Sequence, residues 1–82
     1  MNVILSKDAQ KQYGRLSKSD QRKIYIKLST LQDNPHAGKK LSGELKGIRS
    51  LRVWPYRILY EINADEKRVE VLVIAHRQGV YK

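Results

Sequence analysis

Arg52, Arg57, His76, Arg77 and Tyr81 are the residues of this 82-residue chain whose types suit phosphate chemistry. A guanidinium fork matches phosphate oxygens bidentately. Imidazole has the reference pKa best placed for acid–base work near neutrality. A phenol set among cations has its pKa drawn down from about 10, and its ring also offers a face for a nucleobase. Each residue has an ordinary reading too. An arginine stem covers apolar surface with its head in water, His76 makes a hydrogen bond at a strand end, and Tyr81 anchors the end of the chain in the core.

Metal-assisted phosphoryl chemistry has no comparable constellation here. Asp65 and Glu66 fall in an expected turn and Glu61 and Glu70 on a sheet surface, so no paired carboxylates invite magnesium. There is no Cys, and the two His are far apart in sequence, which excludes a thiolate zinc site and a disulfide framework. No metal and no cofactor is expected, because a chain of this length has one modest core and no room for an enclosed pocket between lobes. Without a metal, the accessible cleavage is that of RNA. There the 2′-hydroxyl supplies the nucleophile, and the protein provides proton transfer and positive charge.

The charge is placed to suit a polyanion. The formal net charge is +9, and residues 34–60 hold six basic residues (Lys39, Lys40, Lys46, Arg49, Arg52 and Arg57) against Glu44 alone. The same charge also serves as a solubilising surface. The longest apolar run, Val71 to Ala75, is far short of the ~20 residues that span a bilayer. No signal-peptide pattern opens the chain. A single domain over residues 1–82, without Cys and without a membrane segment, is expected in a reducing cytoplasm.

The elements that must position these groups follow from periodicity. Residues 2–5 are β-rich and give way to Ser6 and Asp8, which favour a helix start. Ala9, Tyr13 and Leu16 recur at helical spacing, predicting a helix over 7–16 that Gly14 weakens. The Ser17 to Asp20 segment offers a second N-cap. Ile24, Leu28 and Leu31 continue a helical stripe until Asn34 and Pro35 stop it. Residues 36–47 read as a long ordered loop pinned by Leu41 and Leu45. Strands are expected at 49–53, 57–62 and 68–75, the last near-continuously apolar and hence central and covered on both faces. The result is an α+β domain, β-α-α-β-β-β, with a helical hairpin on a mainly antiparallel four-stranded sheet.

Trp54 and Pro55 leave room for only a two-residue hairpin turn, although Pro makes that turn unusual. Val53 then lies opposite Tyr56, and Arg52 directly opposite Arg57. Alternation puts Leu51, Val53, Tyr56, Ile58, Tyr60 and Ile62 on the helix side and Ser50, Arg52, Arg57 and Leu59 on the other. Like charges facing each other destabilise a hairpin by up to ~1 kcal/mol. An anion between them removes the conflict, and Arg77 and Tyr81 from the tail of the neighbouring strand are placed to join it.

Three stretches carry a family resemblance in order: the Lys40 to Gly47 segment Lys-Leu-Ser-Gly-Glu-Leu-Lys-Gly, the hairpin Leu51-Arg52-Val53 with Tyr56-Arg57-Ile58-Leu59-Tyr60, and the ending His76-Arg77-Gln78-Gly79-Val80-Tyr81. Together they resemble the RelE/ParE superfamily of toxins from toxin–antitoxin modules. The resemblance implies a RelE-like fold. In the RelE branch it implies an mRNA endoribonuclease (mRNA interferase) that cuts in the ribosomal A site without a metal, leaving a 2′,3′-cyclic phosphate and a 5′-hydroxyl. It implies that Arg57 contacts the scissile phosphate, that Arg77 belongs to the catalytic cluster and that Tyr81 moves a proton or holds the base. Arg52 matches a basic strand position, and His76 is given a supporting role. Lys39, Lys40, Lys46 and Arg49 are expected to hold RNA and ribosome. The implied partners are mRNA, the ribosome and a cognate antitoxin whose acidic or partly disordered segment wraps the toxin, with operator DNA reached only through the antitoxin. The ParE branch implies instead a toxin that poisons DNA gyrase. Ser50 departs from the family where relatives often have a second Lys or Arg, Trp54 and Pro55 depart from a Gly-Asp type of turn, and one residue follows Tyr81.

Overall fold

Ser6 and Ser17 stand immediately before two helices, and both make the same bond. In the structure, a computed structural model describing residues 1–76, Ser6 Oγ accepts from Ala9 N at 3.0 Å. Ser17 Oγ accepts from Asp20 N at 3.2 Å. Each satisfies a backbone donor that a helix start leaves orphaned. The helices are α1 (Lys7–Gly14) and α2 (Lys18–Asp33). The first ends sooner than its periodicity indicates, because Gly14 holds helix poorly and Arg15 N already bonds back to Lys11 and Gln12 carbonyls. The second stops at Asn34, whose φ of −137° and ψ of 83° are set outside the helix by the following Pro35.

The strands are β1 (Asn2–Leu5), β2 (Lys39–Lys40), β3 (Arg49–Val53), β4 (Tyr56–Asn63) and β5 (Arg68–His76). They form one mixed sheet in the order β1-β5-β4-β3-β2, with β1 parallel to β5 and the other pairs antiparallel. This is the expected α+β layout with a fifth strand. Two consecutive lysines carry no alternation to announce a strand, yet Lys39 pairs with Ser50 and Lys40 with Arg49.

Ala9, Ile24, Leu28 and Leu31 from the helices meet Val53, Ile58, Tyr60, Val69, Val71 and Ile74 from the sheet, and this is the core. Strand β5 is central, as expected, but helices cover one face only. Its apolar run has another cause. Leu59 pairs with Val73 and Tyr60 with Val71, so Leu72 is an extra residue, a bulge that breaks the two-residue period.

The loop between α2 and β3 is held from below by Tyr60 rather than by its own leucines. Tyr60 is fully buried. Its hydroxyl donates to Pro35 O at 2.7 Å and accepts from Gly38 N at 2.8 Å. Arg49 Nη1 donates to Gly38 O at 2.9 Å and reaches His36 O at 3.5 Å. A Cβ on Gly38 would lie 2.6 Å from Tyr60 Oη, which is why glycine stands there. Leu45, expected as a pin, is exposed. Burial raises the Tyr60 pKa, and the Gly38 N–H and Arg49 partly oppose it.

Because β1 has only four residues, the upper part of β5 runs past it with an open edge. Helix α1 closes that edge with side chains. Ser6 Oγ donates to Leu72 O at 2.8 Å, and Gln12 Oε1 accepts from Ile74 N at 2.8 Å.

Candidate functional site

The hairpin forms with the register its two-residue turn requires. Val53 pairs with Tyr56, Arg52 with Arg57, Leu51 with Ile58 and Ser50 with Leu59. The turn accommodates Pro55 with a cis Trp54–Pro55 bond, and the proline lies outside the ladder. Cross-strand partners share a sheet face, so Arg52 and Arg57 stand side by side on the face away from the helices. Arg52 is exposed and Arg57 half-buried. The same face carries Lys39 one row below, beside Ser50.

Ser50 is 6% exposed, and among the described residues its Oγ is the buried side-chain polar atom with no hydrogen-bond partner. The position where a second cation was missed in the sequence is therefore occupied by a small buried hydroxyl between Lys39 and Leu59. A lone unsatisfied hydroxyl is costly, so it is a natural acceptor or donor for something arriving on this face.

The remaining expected cations lie elsewhere. Lys40 pairs with Arg49 on the helix side. With Lys46 the two line a groove of about 460 Å³ closed by Leu41, Ser42 and the glycines Gly43 and Gly47. Arg49 binds loop carbonyls there, so it is a tether as well as a charge. The basic middle of the chain is thus divided by the sheet into an Arg52–Arg57–Lys39 face and a Lys40–Lys46–Arg49 groove.

His76 pairs with Tyr56, not with an arginine. Their rings meet edge to face, with centroids 5.6 Å apart and planes at 89°. Tyr56 Oη donates to Asp20 Oδ2 at 2.8 Å, and Asp20 also lies 3.9 Å from Lys23 Nζ. The hydrogen bond to Asp20 raises the Tyr56 pKa, with burial and the carboxylate charge acting in the same sense. By alternation this Asp20–Tyr56–His76 group is on the opposite side of the sheet from Arg52 and Arg57. Sequence reasoning placed Tyr56 on the helix side but missed its bond to Asp20, since the two are 36 positions apart and nothing local links them. Arg77 and Tyr81 lie outside the described residues. Among the described residues no cluster of three or more His, Asp or Glu is placed to hold a metal.

The arrangement can do one thing plainly. Two permanently charged guanidinium groups, fixed by a short hairpin on an uncovered sheet face, form a binding site for a phosphate group.

The chain matches the ParE toxin family of type II toxin–antitoxin systems, parDE, over residues 3–81. It is 42% identical over 53 residues to Toxin RelE of Mycobacterium tuberculosis, an alignment covering 63% of this chain and 55% of that protein. The chain thus aligns with about half of that relative's length. Among solved structures, the toxin–antitoxin complex RelBE2 of Mycobacterium tuberculosis superposes with a TM-score of 0.85 at 28% identity, covering 93% of this chain and 96% of the other. The YoeB/ParE toxin of Agrobacterium tumefaciens gives 0.81 at 21% identity, covering 93% and 98%. The isolated RelE toxin of E. coli gives 0.79 at 19% identity, covering 92% and 82%, and these last two likenesses concern the fold. With a family match across nearly the whole chain and the RelE-like sheet and helical hairpin beneath it, this chain belongs to the RelE/ParE superfamily of type II toxins.

Proposed function

We propose that this toxin is a metal-independent mRNA endoribonuclease that acts on the codon presented in the ribosomal A site in the cytoplasm. The observation that carries the reading is the direct pairing of Arg52 with Arg57 on the open sheet face. A scaffold gains nothing from two opposed guanidinium groups, whereas a phosphate between them is held and its developing charge stabilised. In the reaction the RNA 2′-oxygen attacks the adjacent phosphorus and the bond to the 5′-oxygen breaks. The 2′-hydroxyl gives up a proton, and the leaving oxygen takes one. Arg57 holds the scissile phosphate with Arg52 beside it. Arg77 and Tyr81 complete the cluster, with Tyr81 in proton transfer or against a base. His76 supports the strand end from which that tail departs. Lys39, Lys40, Lys46 and Arg49 add long-range attraction to ribosomal RNA.

The partner that restrains it is a cognate antitoxin with an acidic segment that folds over the cationic surface. Similar folds are found in toxin–antitoxin complexes, including RelBE of E. coli, which is in keeping with such a partner.

The test is primer extension on a defined mRNA, free or programmed in a ribosome with an empty A site. A cut confined to the A-site codon, leaving a 2′,3′-cyclic phosphate end, supports the reading. A second reading, inhibition of DNA gyrase, is favoured by the family match to ParE toxins and by Ser50 standing where a second strand cation is missing. No cut in either sample, with loss of supercoiling by purified gyrase, would put that reading first.

A further inference from the structure

Trp54 is the single tryptophan of the chain, and it is 59% exposed. It occupies the turn that joins β3 to β4, directly after Val53, which is buried. An indole normally contributes about 150–250 Å² of buried surface to a core or an interface, and most of that is unused here. Its position is not arbitrary. Arg52 lies two residues before it and Arg57 three residues after it, and these two pair across the hairpin. At about 3.3 Å per strand residue the turn is roughly 7 Å from the arginine pair. Pro55 follows it with a ring-fixed φ, so the backbone at the tip has little freedom.

Charge alone does not distinguish a nucleic acid from any other polyanion. An aromatic face beside a phosphate-binding cation does, because every base has a π-face and phosphates do not. The open sheet face offers no aromatic ring of its own near the arginines. The residues that share their rows there are Lys39, Ser50, Leu59, Val73 and Ala75. Tyr56 is on the other side and engaged with Asp20.

We propose that Trp54 is a base-stacking residue, receiving the nucleobase of a single-stranded RNA that flanks the phosphate held by Arg52 and Arg57, an assignment that rests on the RNA reading of the same hairpin. The site is then a two-part reader. The arginines fix the backbone, and the indole fixes a neighbouring base, so that the strand is held at two points around the scissile bond. Stacking tolerates any base and favours purines by area, which makes Trp54 a determinant of context rather than of a single letter.

With one tryptophan in the chain, its fluorescence reports on position 54 alone. The experiment titrates the purified protein with a short single-stranded oligoribonucleotide and, separately, with inorganic polyphosphate of matched charge, following both tryptophan emission and the anisotropy of a labelled oligonucleotide. The oligonucleotide is expected to quench Trp54, whereas polyphosphate binds without quenching. Trp54→Ala should weaken oligonucleotide binding by about 5- to 150-fold, Trp54→Phe by much less, and neither should change the slope of affinity against salt, because no phosphate contact is lost. Thermal melts of both variants identify any loss caused by unfolding. Oligonucleotide binding of unchanged affinity in a folded Trp54→Ala protein, with no quenching in the parent, would overturn the stacking assignment while leaving the RNA reading intact. The RNA reading itself fails differently. In that case Arg52→Ala and Arg57→Ala bind the labelled oligonucleotide as the parent does, or the parent does not bind it, and the stacking assignment falls with it.

Discussion

Tyr56 Oη donates to Asp20 Oδ2 at 2.8 Å, so the tip of the β3–β4 hairpin is fastened to the first turn of α2. The tie holds the hairpin that presents Arg52 and Arg57 and sets the ring against which His76 packs. Tyr56→Phe keeps the ring and removes the bond. Loss of a part-buried hydrogen bond to a carboxylate should destabilise the protein by about 1.5–3 kcal/mol. Urea denaturation of Tyr56→Phe, Asp20→Asn and the double variant measures it, and coupling of less than a few tenths would show that the bond contributes nothing.

Both Tyr56 and Tyr60 have pKa values raised from the ordinary 10.0. A raised phenol pKa means that the folded state holds the proton more tightly than the unfolded chain. The associated stability is therefore fully present below pH 10 and is lost as pH climbs from about 10 through the raised values. Unfolding free energy measured from pH 8 to 12 should be flat at first and then fall. Removing one phenol with Tyr60→Phe should reduce the steepness of that fall, at the cost of lower stability near neutrality.

Gly38→Ala places a methyl group 2.6 Å from Tyr60 Oη and 2.7 Å from its Cε1. Tyr60 is buried and cannot swing away, so a loss of about 1–3 kcal/mol is expected, in the range of overpacked sites. Adding Tyr60→Phe should restore only part of it, because the ring carbon remains in the way. Equal melting temperatures for Gly38→Ala and the parent would mean that the loop shifts freely.

Ser50→Ala removes a buried hydroxyl that has no partner among the described residues. The folded protein should be unchanged or stabilised by up to about 1 kcal/mol. If the hydroxyl meets the substrate, single-turnover cleavage falls in the same variant although stability does not. A destabilised Ser50→Ala protein would contradict this account of the site.

Arg52→Ala relieves a like-charge pair and should leave stability unchanged or slightly higher while weakening RNA binding. Arg57→Ala should slow single-turnover cleavage at saturating ribosome. Lys39→Ala, Lys40→Ala and Lys46→Ala should leave that saturated rate alone and each lower the salt slope of ribosome association by about one. An identical pattern across all five variants would dissolve the distinction between contact and steering.

Much of this fold was legible because its signals are local. The N-caps at Ser6 and Ser17, the stripe Ile24, Leu28 and Leu31, and the stop before Pro35 each act within a few residues. A two-residue turn then dictates the whole β3–β4 register, including the meeting of Arg52 and Arg57. What was not legible depends on partners distant in sequence. Lys39–Lys40 becomes a strand only because Ser50 and Arg49 offer an edge. The loop's pin is Tyr60, which reads as one more inward-facing strand residue until Pro35 and Gly38 are brought to its hydroxyl. The expectation that β5 is sandwiched failed because a bulge at Leu72 imitates the composition of a strand covered on both faces. In the site, alternation separated Lys40 and Arg49 from Arg52 and Arg57, which a charge count along the chain does not reveal.

The short β1 and the bonds from Ser6 and Gln12 have a bearing on solubility. The segment from Val69 to Ala75 combines β-branched residues, a single charge and no proline, the composition that stacks into cross-β aggregates when its edge is open. Beyond the end of β1, Ser6 and Gln12 occupy backbone groups that a foreign strand would otherwise take. The two outer strands of the sheet have only four and two residues, too short to template a long ladder. Helix α1 thus acts as a gatekeeper written in side chains, allowing a chain with so sticky a central strand to exist apart from other copies of itself.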